Sequence, residues 1–292
     1  MKINLLDHKV LNDFPSGSAI EYYNDLIYLI GDDAKDILVL NKRWKEVERI
    51  KLFDTQEFRI AKDRKADMES AAIITNDNMP CMLLLGSGSL IPTRCKSFLV
   101  NFKSAQIEEH NLERFYERIV SAGVKELNIE ATAVLGDKIV FCNRANNTNQ
   151  VNQLIITGLD FWEKQEETEI SILPLELLVE ENGVVGVSGL SYSPKNDWLV
   201  FSASTEATEN AYDDGEIGDS YLGVIENASR KIGRKSMKVN SLINLSKSDK
   251  KFKGQKIESL CIQSEKSGRL KMHLTADNDT GTSTLFRVRL KA

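Results

Sequence analysis

Short apolar runs separated by polar turns recur along the whole chain. In each unit a Ser or Glu opens a first run, a turn follows, and a second run ends in polar residues. The first unit reads Ser18-Ala19-Ile20-Glu21-Tyr22-Tyr23, a turn at Asn24-Asp25, then Leu26 to Gly31 and Asp32-Asp33. The second runs from Glu69 to Thr75, turns at Asn76-Asp77-Asn78, and continues from Cys81 into Gly86-Ser87-Gly88-Ser89. Three more follow from Glu130, Ser188 and Glu258. Runs of this length joined by turn residues read as β-hairpins. Third strands are expected at Ile37 to Leu40, Ser97 to Phe102, Val151 to Ile156, Tyr221 to Ile225 and Leu285 to Leu290. Fourth strands are expected at Val47 to Phe53, Glu169 to Leu173 and Met237 to Ile243.

The openers Ser18, Glu69, Glu130, Ser188 and Glu258 stand 51, 61, 58 and 70 residues apart. A further 52 residues lead from Glu258 around the chain ends to Ser18. A repeat of this period that closes on the termini predicts a single all-β domain over residues 1–292, a five-bladed β-propeller. Unit five runs out of chain at its third strand, and Ile3 to Leu11 is spare to supply the fourth. Closure by the N-terminal strand would remove exposed sheet edges. One segment departs from strand periodicity. Leu112, Phe115, Ile119 and Val120 share one face at helical spacing, so a short helix is expected between blades two and three.

In an antiparallel hairpin the end of the second strand lies beside the start of the first. The five openers therefore meet near the propeller axis, and the later polar residues form a collar at the same mouth. That collar would hold Asp32, Asp33, Arg94, Asn143, Arg144, Glu206, Asp213, Asp214, Asp277 and Asp279. Three carboxylates and two hydroxyls around one axis offer hard oxygen ligands, which suit Ca²⁺ better than the compact octahedron of Mg²⁺. Zinc would lack its usual His and Cys partners. The plain alternative is that strand openers are polar because strands emerge from loops.

Net charge is −5 and charged residues make up 28% of the chain, against 41% hydrophobic ones. An acidic balance argues against nucleic acid and anionic membranes as partners. No apolar run is long enough to span a bilayer, and no secretory signal is legible, so a cytoplasmic location is expected. The four cysteines form no metal-binding spacing and are expected as reduced core thiols. The three histidines are scattered and show no metal spacing. Gly86-Ser87-Gly88-Ser89 lacks the Lys and helix start of a phosphate-binding loop and is expected as a turn.

The order Ser, Glu, Glu, Ser, Glu resembles the calcium-dependent apyrases, also called soluble calcium-activated nucleotidases. The resemblance is carried by Gly17-Ser18-Ala19, Met68-Glu69, Ile129-Glu130-Ala131, Val187-Ser188-Gly189 and Ile257-Glu258-Ser259, with the helix before unit three and Arg144 after its second strand. Asn143 stands beside Arg144 where that family pairs two arginines. The strand pattern is also similar to bacterial phytase-like and esterase-like propellers. The resemblance implies a central Ca²⁺ on Ser18, Glu69, Glu130, Ser188 and Glu258. It implies hydrolysis of a phosphoanhydride or phosphate ester in a small-molecule substrate. Arg94 and Arg144 would neutralise phosphoryl charge, and Asp32 or Asp33 would accept a proton from water. Two other readings stay open: a binding propeller with a structural ion, and a metal-dependent lactonase or esterase. Oligomeric state is not legible.

Overall fold

Alternation of side chains along each strand decides how the sheets stack, because successive residues face opposite sides. A computed structural model describes residues 1–177, 184–206, 217–277 and 281–292. It forms five sheets, antiparallel but for one short outer pairing, arranged as a five-bladed β-propeller. Their innermost strands are Gly17–Tyr23, Met68–Asn76, Ile129–Leu135, Val185–Ser193 and Ile257–Lys266. Each packs on the innermost strand of the next blade, and the last packs on the first, so the ring is closed.

Blade one shows how the core is divided. In its second strand Ile27 and Leu29 pack toward blade five, with Leu38, Cys261 and Leu285. Tyr28 and Ile30 pack toward blade two, with Met82, Leu84 and Phe98. Blade two repeats the logic, since Leu83 and Leu85 turn instead to Phe115, Phe141 and Phe161. Blades one and two are therefore apolar on both faces near the axis, and their second strands read as unbroken apolar runs; in blade five the second strand alternates, with Leu270, Met272 and Leu274 in the core and Lys271, His273 and Thr275 between them.

Strand Lys2–Leu11 pairs antiparallel with Ser283–Lys291 and completes blade five, as the spare N-terminal segment predicts. The helix forms at Glu113–Ser121, after blade two. Its buried face is Phe115, Tyr116 and Ile119, while Val120 is 46% exposed, so Tyr116 takes the place expected of Val120. Tyr116 earns burial by donating its hydroxyl to the Gly86 carbonyl at 2.6 Å.

Three features differ from the sequence expectation. Blade two has a fourth strand, Ile107–Asn111, that is exposed enough to show no apolar period. The run from Met237 splits: Met237–Lys238 joins blade three in parallel beside Leu175 and Glu176, and only Ser241–Asn244 completes blade four. Met237 is fully buried in the core between blades three and four, which explains the split. Two one-turn helices, Ala228–Lys231 and Leu245–Ser248, add to the single helix expected. All four cysteines are free and buried. Among the described residues no helix is long and apolar enough to cross a membrane.

Candidate metal centre at the axial mouth

The five openers are united by a backbone device that the sequence does not show. Each innermost strand carries a β-bulge at its start, and the unpaired residue is Ser18, Glu69, Glu130, Ser188 or Glu258 in turn. A bulge re-aims one side chain and bends its strand. Ser18 and Ser188 use this to tie blades together. Their hydroxyls donate to the carbonyls of Met68 and Ile257, both at 2.6 Å, each one residue before the next blade's opener. Glu130 and Glu258 come from blades that are not neighbours, yet one guanidinium reaches both. Arg144 Nη1 lies 2.5 Å from Glu130 Oε2 and 3.5 Å from Glu258 Oε2. That contact crosses the axis. Lys256 Nζ adds a second cation 3.0 Å from Glu258 Oε1. A Cβ at Gly186 would stand 2.5 Å from Arg144 Nε, so glycine is needed where Arg144 passes blade four. Burial outweighs the Arg144 guanidinium and leaves the Glu130 carboxyl raised from 4.5 to about 7.

Glu69 sits differently. It accepts no hydrogen bond among the described residues and stands with Asp32 and Asp67, their carboxylate oxygens within 4.8 Å of one another. This acidic triad could bind a metal ion. Burial raises Glu69 well above the usual carboxylate range, and Asp67, Asp32 and Glu130 raise it further. Burial pushes Asp32 up to about 6; Lys65 opposes this, while Asp33 and Asp67 add to it. Asp67 goes the other way. Burial would raise it, but the Lys65 and Arg94 charges outweigh burial and hold it below its ordinary value. Lys65 is the internal counter-ion of the triad. Its ammonium pairs with Asp32 and lies 2.7 Å from Asp67 Oδ1.

Sequence reasoning picked out Glu69 and Asp32 but missed Asp67, Lys65 and Lys256. The segment Lys65-Ala66-Asp67-Met68-Glu69 places three charges at alternate positions just before and at the opener, which is the one sequence signal that could have drawn attention to Lys65 and Asp67. Arg94 is placed under the triad rather than at an open mouth. Its Nη1 donates to Asp67 Oδ2 at 2.7 Å and to Ser89 Oγ at 2.8 Å. Ser87 Oγ donates to the same Asp67 oxygen at 2.5 Å. The Gly86-Ser87-Gly88-Ser89 turn is thus the clamp for one carboxylate. Gly88 has φ +73°, and a Cβ there would stand 2.8 Å from Tyr116 and Leu127.

Beside the triad opens a cavity of about 330 Å³ walled by Ser16, Asp32, Asp33, Arg59, Lys65 and Asp277, among others. Arg59 Nε lies 2.6 Å from Asp33 Oδ2, and its side chain is 45% exposed at the rim. Asp213, Asp214, Asp279 and the side chain of Glu206 lie outside the described residues. His273 is fully buried and packed, with Nδ1 accepting from Trp44 Nε1 at 3.2 Å.

A model of the family described as "Family of unknown function (DUF6929)" matches residues 13–290. No curated protein matches the chain. Among solved structures, glutaminyl cyclase from Myxococcus xanthus is similar at TM-score 0.56 and 10% identity, covering 99% of this chain and 96% of that one. Virginiamycin B lyase from Staphylococcus aureus aligns at TM-score 0.42 and 10% identity, covering 98% and 99%. At such identities the likeness to glutaminyl cyclase shows the fold alone.

Proposed function

We propose that this chain, which belongs to the family of unknown function DUF6929, holds Ca²⁺ at the axial mouth of its propeller and hydrolyses a phosphoanhydride or phosphate ester there. The observation that carries the reading is the triad of Asp32, Asp67 and Glu69, one buried and two half-buried carboxylates crowded within 4.8 Å. All its donors are hard oxygens, which suits Ca²⁺ and not zinc. Carboxylates so close disfavour their own ionisation, and a divalent ion relieves that repulsion.

When bound, the ion supplies a Lewis acid for a phosphoryl oxygen. The chain's own residues supply the rest. Asp33, on the cavity wall and outside the triad, is placed to accept a proton from an attacking water. Arg59 reaches the cavity rim and can face charge developing on the substrate. Arg94 and Arg144 act one step back, because their guanidinium groups hold Asp67, Glu130 and Glu258.

Purified protein should turn over a nucleoside diphosphate, phytate or a simple phosphate ester with added Ca²⁺, and chelator should abolish it. Absence of chelator-sensitive turnover on all three sinks the catalytic reading. A second reading is favoured by one observation. Arg144 and Lys256 already tie Glu130 and Glu258 together across the axis, so the mouth can be a structural hub whose ion only adds stability. In that case Ca²⁺ raises the melting temperature and no ester is cleaved.

A further inference from the structure

Blade five carries a second charged surface, at the rim opposite the mouth. Its innermost strand begins at the mouth with Ile257 and Glu258 and ends at the far rim with Lys266. There the register lines up one cation from each strand. Lys266 stands opposite Arg269, Arg269 opposite Lys291, and Lys291 opposite Lys2. Two residues further in, Lys271 stands opposite Arg289. Direct cross-strand partners share one face of a sheet. Leu270, Leu290 and Ile3 turn into the core between blades four and five, so the cations beside them turn to the other face. All six are exposed or half-buried.

Like charges directly opposite one another destabilise a sheet. A lysine on an outer edge guards against pairing with other sheets, but that accounts for Lys2 alone, since the other five lie on strands further in. None of the six side chains has a hydrogen bond or ion pair among the described residues. The carboxylates around them are committed elsewhere. Asp7 meets Arg287, Asp25 holds Lys42, and Glu265 accepts from Ser193 on the blade-four side. Burial and the cations Arg287, Arg289 and Lys42 pull the Lys271 ammonium below its ordinary value. A chain of net charge −5 thus gathers six uncompensated positive charges on one rim.

The spacing says what fits. Neighbouring strands lie about 4.8 Å apart and one face repeats about every 7 Å, so the six cations cover about 14 Å by 7 Å. An extended acidic peptide along the row would offer about three carboxylates over that length. A phosphoryl group brings up to about two negative charges and suits both Arg and Lys, so a few linked phosphoryl groups match the charge in the same space. We infer that this rim of blade five binds a compact oligophosphate anion, with Arg269, Lys271, Arg289 and Lys291 at the centre and Lys2 and Lys266 at the ends. The site lies at the far end of the strands from the mouth and does not rest on the metal reading there.

The test is titration calorimetry of the metal-free full-length protein with inorganic tripolyphosphate at low salt. One-to-one binding is expected, about tenfold or more tighter than that of orthophosphate, hexaglutamate or a short thymidine oligonucleotide, and it should weaken as salt is added. The double variant Lys271→Gln, Arg289→Gln should bind tripolyphosphate about tenfold or more weakly. Relief of the like-charged pair should leave its melting temperature at or above that of the parent, so lost binding is not lost folding. No binding by the parent overturns the site. Equal binding by parent and double variant also overturns it and moves the anion to another surface. Hexaglutamate or the oligonucleotide binding as tightly as tripolyphosphate overturns it in favour of an acidic protein segment or of nucleic acid. Chelator-sensitive turnover at the mouth should be the same in parent and double variant, so the two readings fail separately.

Discussion

Lys65 already sits where an ion on the triad would have to act, and Lys65→Met asks how much that matters. In the metal-free protein its ammonium neutralises Asp32 and Asp67, with side-chain exposures of 12% for Lys65 and 4% for Asp67. Removing one partner of a buried ion pair costs about 3–5 kcal/mol, because the other charge is left uncompensated. For 292 residues the unfolding entropy is about 0.6 kcal/mol per kelvin, so the melting temperature should fall by about 5–8 °C. Metal changes the sign of the comparison. In the parent an incoming divalent ion must push the ammonium off two carboxylates, and in the variant it need not. The affinity gain is bounded above by the same 3–5 kcal/mol, about two to three orders of magnitude. At least tenfold tighter Ca²⁺ binding is expected by calorimetry. Excess Ca²⁺ should bring the variant's melting temperature back to or above that of the parent, since a ligand at a hundred times its Kd adds about 2.7 kcal/mol. If parent and variant bind Ca²⁺ equally, ammonium and ion do not compete and the triad is not the site.

Glu130→Gln separates the two ends of the mouth. It strips Arg144 of its nearest carboxylate, so the melting temperature should fall by several degrees by scanning calorimetry, while the Ca²⁺-induced rise persists; a vanished rise would bring Glu130 into the ligand set. Glu21 supplies a pH prediction. Burial raises its carboxyl from 4.5 to about 8, so the folded chain holds this proton more tightly than the unfolded one, and stability falls as pH rises between those values. The loss is about 3 kcal/mol at pH 7, and Glu21→Gln should remove that slope in urea titrations; an unchanged slope would show that Glu21 is solvated.

The propeller was legible because blades such as one and two are apolar on both faces near the axis. Ile27 through Ile30 and Met82 through Leu85 had to be unbroken runs, and turns had to separate them. The outer strand of blade two was not legible for the opposite reason. In Ile107–Asn111 the side chains are exposed or only half-buried, so no burial pattern constrains their order. The split at Met237 escaped notice because pairing partners are a property of the assembled sheets: a two-residue strand has no period of its own.

The candidate site divides along the same physical line. A polar residue at the head of an apolar run is visible in one dimension, and that is how Ser18, Glu69, Glu130, Ser188 and Glu258 could be singled out together. The bulge that turns each of them is a register property and leaves no residue signature. Charge compensation is less visible still. Nothing in the order of residues says that Arg144 reaches Glu258, or that Arg94 lies on Asp67 while Lys65 faces Asp32. Those pairings decide which openers keep an uncompensated charge. Glu130 and Glu258 each have a cation in contact, the serine hydroxyls are committed to carbonyls, and Glu69, crowded by Asp32 and Asp67, has only the lysine they already share. A fivefold pattern in the sequence thus becomes a one-sided site in three dimensions. The ion's place is set where three carboxylates crowd about one lysine, and the centre of gravity moves from the axis toward blades one and two.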